Sequence, residues 1–274
     1  MRARSDRVRR RRAALTSLVV LLVTSGVLVA VGPSAGRVLG AVVADAGVDT
    51  AAGRAGTPMS SSSSSGDRRI VEYPSRPNGD VVVYLHGAGQ DATALVYDPE
   101  VKSVVDALLT AGYVVASSDG GLDSWGDEAG VTEYLDLVAD LRGADEASRV
   151  FLVAESMGAL SAAQVATRTD VTAWALMYPV CDVSTISEPT LLASLSAAYP
   201  DGVPARLSPL AWPAGVPVKV WASPGDTLVG KAANADRCAA RVGASVVSTT
   251  GQHGDPSNFD GQAVVDFFRA GHGT

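Results

Sequence analysis

The stretch 150–160, V-F-L-V-A-E-S-M-G-A-L, constrains this chain more than any other. An apolar run ends at Ala154, and Glu155-Ser156-Met157-Gly158 then leads into an alanine-rich segment of helical composition. The pattern predicts a strand, a sharp turn and a helix, with a serine at the apex. A serine held at positive φ on such an elbow needs small residues two positions before and after it, and Ala154 and Gly158 stand there. Its hydroxyl would stand clear of the sheet. The N–H of Met157, at the start of the helix, would point to where an oxyanion could form. The motif is A-x-S-x-G, and on its own it fits an ordinary serine in a β-to-α turn equally well, so the surroundings decide.

Those surroundings alternate. Strands are expected at 69–73, 81–86, 113–117, 171–178, 217–222 and 245–249, with Asn78-Gly79 giving a hairpin-type turn signal between the first two. Helices are expected at 99–110, where Val101, Val104, Val105, Leu108 and Leu109 keep helical period, and at 131–141, 232–242 and 263–269. Strands alternating with helices imply an α/β fold: a mostly parallel sheet covered on both faces, with its working edge at the strands' C-terminal ends. Between 180 and 216 five prolines, following Pro179, break the pattern and leave one short helical piece, 191–198. This insertion could be a lid over a site, or a long crossover whose Leu191, Leu192 and Leu195 pack on the core.

The N-terminus is separate from all this. Seven arginines between Arg2 and Arg12 precede 13–31, a run of 19 residues without a charge. At ~1.5 Å per residue it is long enough to cross a hydrocarbon layer of ~30 Å, with the arginines on the cytoplasmic side. The length favours a membrane anchor over a cleaved signal peptide, although Ala44-Asp45-Ala46 fits a small-x-small cleavage site. Either way the remainder is expected outside the cytoplasm, and membrane contact is expected through the N-terminal helix only. The chain thus divides into a signal or anchor segment (1–35), a flexible Ser/Gly/Ala-rich linker (36–67) and a folded domain (68–274). That domain carries 13 basic and 25 acidic residues, a formal net charge of −12. Such a balance argues against nucleic acid as a partner. Cys181 and Cys238 lie inside it, where an oxidising compartment would allow a disulfide and buried free thiols are the alternative. No Cys or His cluster suggests a metal.

A serine nucleophile needs a base, and the chain has three histidines. His272 is near the end of a Gly-rich tail, and His86 ends a buried strand. His253 lies in the polar loop Gly251-Gln252-His253-Gly254-Asp255, where it can exchange a proton with Ser156. The base in turn needs a carboxylate to fix its tautomer. Asp226, directly after the strand 217–222, is best placed, and Asp182 is its rival. Asp255 is too close in sequence to orient the ring and is expected to cap the last helix. Trp125 could line a pocket, but packing in the core or loop is the simpler expectation.

Taken in order, His86-Gly87-Ala88-Gly89, the Ser156 elbow, Gly225-Asp226 and His253 resemble the α/β-hydrolase fold family over nearly all of 69–270. The resemblance implies a Ser156–His253–Asp226 triad and an oxyanion hole built from the N–H groups of Ala88 and Met157. Gly87 or Gly89 could replace Ala88, because the turn register is open in the sequence. It further implies a serine hydrolase of the carboxylesterase or lipase type, acting on a small-molecule or lipid-like acyl substrate without a cofactor. A peptidase- or acyltransferase-type enzyme and a non-catalytic binding protein on the same fold are the competing readings.

Overall fold

The computed structural model describes residues 58–64, 66–144 and 147–271. The expected anchor at 13–31, the cleavage site at 44–46, most of the linker and His272 lie outside the described residues. Among the described residues no helix is long and apolar enough to cross a membrane.

Eight strands form one sheet: β1 (Met59–Ser62), β2 (Arg68–Glu72), β3 (Asp80–Leu85), β4 (Val114–Ser118), β5 (Arg149–Glu155), β6 (Ala173–Met177), β7 (Val218–Ala222) and β8 (Ser245–Ser248). Their order is β1-β2-β4-β3-β5-β6-β7-β8. Pairing is antiparallel for β1–β2 and β2–β4 and parallel from β4 to β8. The helices are α1 (Ala94–Tyr97), α2 (Pro99–Thr110), α3 (Glu128–Ala144), α4 (Gly158–Arg168), α5 (Pro189–Ala198), α6 (Arg237–Val242) and α7 (Gly261–Ala270).

The strand period of two divides the core into two layers. On β3 and β5, Val81, Val83, Leu85, Val150, Leu152 and Ala154 pack with α3 and α4, whereas Val82, Tyr84, Phe151 and Val153 pack with α2 and α7. Helix α2 shows how local chemistry sets such an element. Asp98 accepts from the N–H groups of Glu100 and Val101, Pro99 takes the first helical position, and Val101, Val104, Val105 and Leu108 are buried. Each such burial contributes about 1.5–3 kcal/mol before chain entropy is counted.

Three expectations are corrected. The end of the linker is a strand: Met59–Ser62 pairs antiparallel with β2 although all four of its side chains are exposed. A strand with no buried face is held by backbone hydrogen bonds, which leave no trace in side-chain pattern. Residues 73–79 form no hairpin, because β4 lies between β2 and β3. Instead Asn78 donates to the Ala111 carbonyl and accepts from the Asp80 N–H, which clips this connection to the turn before β4. The last helix is capped by Asp260, which accepts from the Ala263 N–H, while Asp255 caps the short turn Pro256–Asn258.

Within 180–216, Leu195, Leu207, Leu210 and Trp212 join the core. Cys181 is disulfide-bonded to Cys238, so the start of this segment is covalently joined to α6.

Candidate active site

Strand β5 delivers Ser156 to the C-terminal edge of the sheet, between β3 and β6. Its φ of +47° is the left-handed conformation that the turn demands. A Cβ on Gly158 would lie 2.3 Å from the Leu85 carbonyl oxygen and 2.6 Å from that of His86, so glycine is obligatory there. Ala154 sits under the elbow with no exposure, which shows that this position has room for one methyl group.

His253 and Asp226 come from the loops after β8 and β7. His253 Nε2 is 2.9 Å from Ser156 Oγ, and His253 Nδ1 is 2.8 Å from Asp226 Oδ2. The other Asp226 oxygen accepts from the N–H groups of Leu228 and Val229, each at 2.9 Å. Burial alone would raise the Asp226 pKa. The hydrogen bond from His253, the two backbone N–H groups and the charge of a protonated ring outweigh it and hold the carboxyl below its ordinary value. With Nδ1–H donated to Asp226, Nε2 is left as an acceptor facing the serine hydroxyl. The Asp226 side chain is 2% exposed and that of His253 17%. Asp182 plays no part in this, because it pairs with Arg237 Nη1 at 2.6 Å and caps the turn Val183–Thr185.

The loop after β3 approaches the elbow from the other side. The Gly87 N–H donates to Gln90 Oε1 and the Gly89 N–H to Asp123 Oδ1, both at 2.7 Å. Among the described residues, no acceptor faces the N–H of Ala88 or of Met157. His86 is buried, its Nδ1 2.9 Å from the Gly87 carbonyl oxygen and its Nε2 2.9 Å from that of Asp119. The Gly87 carbonyl belongs to the same peptide group as the Ala88 N–H, so His86 orients that donor. Trp125 is 1% exposed and packs in the core; it does not line an open pocket.

One residue of this site escaped the sequence reading. Glu155, immediately before Ser156, is buried and accepts from the Tyr84 hydroxyl at 2.5 Å and from the Tyr178 hydroxyl. Burial, then the adjacent Glu155 charge, push both phenols above their ordinary pKa. The Tyr178 ring, at φ +36°, meets the His253 imidazole edge-on with 4.4 Å between centroids. The available signal was a lone carboxylate at the end of an otherwise apolar strand.

Two surface cavities lie near the loop after β3. One, of about 310 Å³, is lined by Gly89, Gln90, Asp91, Thr93, Ala94, Tyr97 and Asp98. The other, of about 380 Å³, lies among Gly121, Asp123, Ser124, Asp127, Ser194, Ala197 and Ala198. Both are open surface depressions of mixed polar and apolar lining.

No family model matches the sequence, and no curated protein matches it. Solved structures do. An esterase from Pyrococcus furiosus is 16% identical with a TM-score of 0.58, covering 78% of this chain and 91% of its own. A lipase in its open form is 16% identical with a TM-score of 0.60, over 80% of this chain and 99% of its own. An alpha-beta serine hydrolase homologue from Coxiella burnetii is 10% identical with a TM-score of 0.54, over 81% and 98%. The chain has the α/β-hydrolase fold.

Proposed function

We propose that this α/β-hydrolase-fold chain is a serine hydrolase that cleaves a carboxylic ester through an acyl-enzyme, outside the cytoplasm. The observation that carries the reading is the unbroken array Asp226–His253–Ser156, at 2.8 and 2.9 Å, opposite two unengaged backbone donors. The esterases and lipases among its structural neighbours support the same class.

In this mechanism His253 Nε2 takes the Ser156 proton as Oγ attacks the substrate carbonyl carbon. The tetrahedral oxyanion is held by the N–H groups of Ala88 and Met157, and loss of one such donor typically costs about 10²–10³ in rate. Asp226 stabilises the imidazolium that forms. The intermediate collapses, His253 returns the proton to the departing alkoxide, and an alcohol leaves an acyl group on Ser156. Water then repeats the sequence with the same base and frees the acid. The net charge of −12 on the folded domain disfavours anionic substrates. An N-terminal anchor would tether this chemistry outside the cytoplasmic membrane.

The test is fluorophosphonate labelling of the purified domain, with turnover of p-nitrophenyl esters of increasing chain length beside matched amides. Stoichiometric labelling that disappears in Ser156→Ala, with esters turned over faster than the matched amides, is expected. Labelling that persists in Ser156→Ala, or no labelling, would end the reading. Faster cleavage of amides would move it to the peptidase class.

A further inference from the structure

The loop after β4 contains a carboxylate that the mechanism above does not use. Asp123 Oδ1 accepts from the Gly89 N–H at 2.7 Å, and its Oδ2 accepts from Ser194 Oγ–H at 2.8 Å. Ser194 Oγ in turn accepts from Trp125 Nε1–H at 2.8 Å. Ser194 belongs to α5, the helix of the 180–216 segment, and the Tyr199 hydroxyl at the end of that helix donates to the Trp125 carbonyl at 3.1 Å. A continuous chain of hydrogen bonds therefore runs from the core tryptophan through α5 and Asp123 to the residue beside Ala88.

The backbone of this loop is unusual in the same place. Leu122 and Trp125, one on each side of the Asp123-Ser124 pair, both have positive φ, at +57° and +50°. Non-glycine residues hold that conformation only where surrounding contacts over-determine it. Here the result is a carboxylate aimed at the amide that follows Ala88.

We propose that Asp123 is a positioning residue for acyl transfer: it fixes the loop that presents the Ala88 N–H and couples that loop to α5 through Ser194. The inference rests on the hydrolase reading above. By engaging Gly89, and with Gln90 engaging Gly87, the chain leaves the amide between them as the donor for substrate. Displacement of α5 would release one carboxylate oxygen and loosen the loop, so the insertion and the oxyanion site would respond together.

The experiment uses the wild-type chain and its variants with p-nitrophenyl acetate, the active sites being counted by fluorophosphonate titration. Asp123→Ala should lower kcat per titrated site by about 10–100-fold with KM within about 3-fold, because a misplaced donor weakens the transition state more than the ground state. Affinity for an aryl trifluoromethyl ketone, whose hemiketal mimics the oxyanion, should fall by the same factor. Asp123→Asn, which keeps an acceptor for Gly89, should recover activity to within about 3-fold of wild type, and Ser194→Ala should lose about 3–10-fold. A lower titratable fraction or melting temperature with unchanged kcat per site would make Asp123 merely structural and overturn the proposal. If Asp123→Ala does not fold, Ser194→Ala decides by the same criterion. A wild-type chain that neither turns over nor labels would instead remove the hydrolase reading, whereas an active wild type with unaffected variants removes only the tether.

Discussion

The Ser156 elbow and the His253 loop meet at 2.9 Å, yet they are held in place by different forces. The elbow is built into the core: Ala154 beneath it is inaccessible, Gly158 abuts the β3 backbone, and Glu155 is enclosed with two phenols. The loop 249–255 lies at the rim, where most residues are exposed or half-buried. It is fastened by polar contacts: Ser223 Oγ–H to the Gly251 carbonyl, Thr227 to Gln252, and His253 to Asp226. Ser156 is positioned by packing and His253 by hydrogen bonds. Substitutions in the two regions should therefore separate stability from activity.

The largest effect is expected at the loop. His253→Ala should lower kcat by about 10⁴–10⁶ while the melting temperature stays within about 2 °C, as seen by steady-state kinetics beside calorimetry. A large loss of stability would break the contrast. At the elbow, Gly158→Ala drives a methyl group into backbone that cannot retreat and should cost about 3 kcal/mol or more, read by denaturant unfolding. Tyr178→Phe tests a side chain that touches both Glu155 and His253. It leaves Glu155 with one phenol fewer and should cost about 1–3 kcal/mol, with kcat falling only about 3–10-fold because the ring still packs on His253. Gly251→Ala should also destabilise, by about 1–3 kcal/mol, because its φ is +78° and the new methyl group would lie 2.6 Å from Asp255 Cβ, which rotation of that side chain cannot move.

The smallest effect is on pH. Asp226 has a folded pKa below its unfolded value of about 3.9, so its contribution is complete above that value and fades as pH falls through the folded one. The stability of Asp226→Asn should accordingly change less than that of wild type as pH is lowered below about 4. Parallel curves for the two proteins would show that the loop's polar fastening contributes little.

What could be read from the sequence follows the same division between local and distant causes. Helix α2 was legible to the residue, because Asp98, Pro99, the apolar spacing and Gly112 all lie within one short window. The side chains of Ser156, His253 and Asp226 could be nominated because turn chemistry at strand ends is local too, and the fold brings all three together. Strand β1 left no mark in its serines, and the place of β4 between β2 and β3 is a property of the whole sheet. Glu155 and Asp123 were missed for a related reason. Each acquires its meaning from partners 23 to 71 positions away, Tyr178 and Tyr84 for one and Gly89 and Ser194 for the other.

The bond between Cys181 and Cys238 brackets the proline-rich segment and Asp226, but neither Ser156 nor His253. A protease that nicked the backbone once between residues 181 and 226 would leave two polypeptides in a single covalent molecule, with Ser156 on one piece and both Asp226 and His253 on the other. Only a reducing gel would reveal the cut.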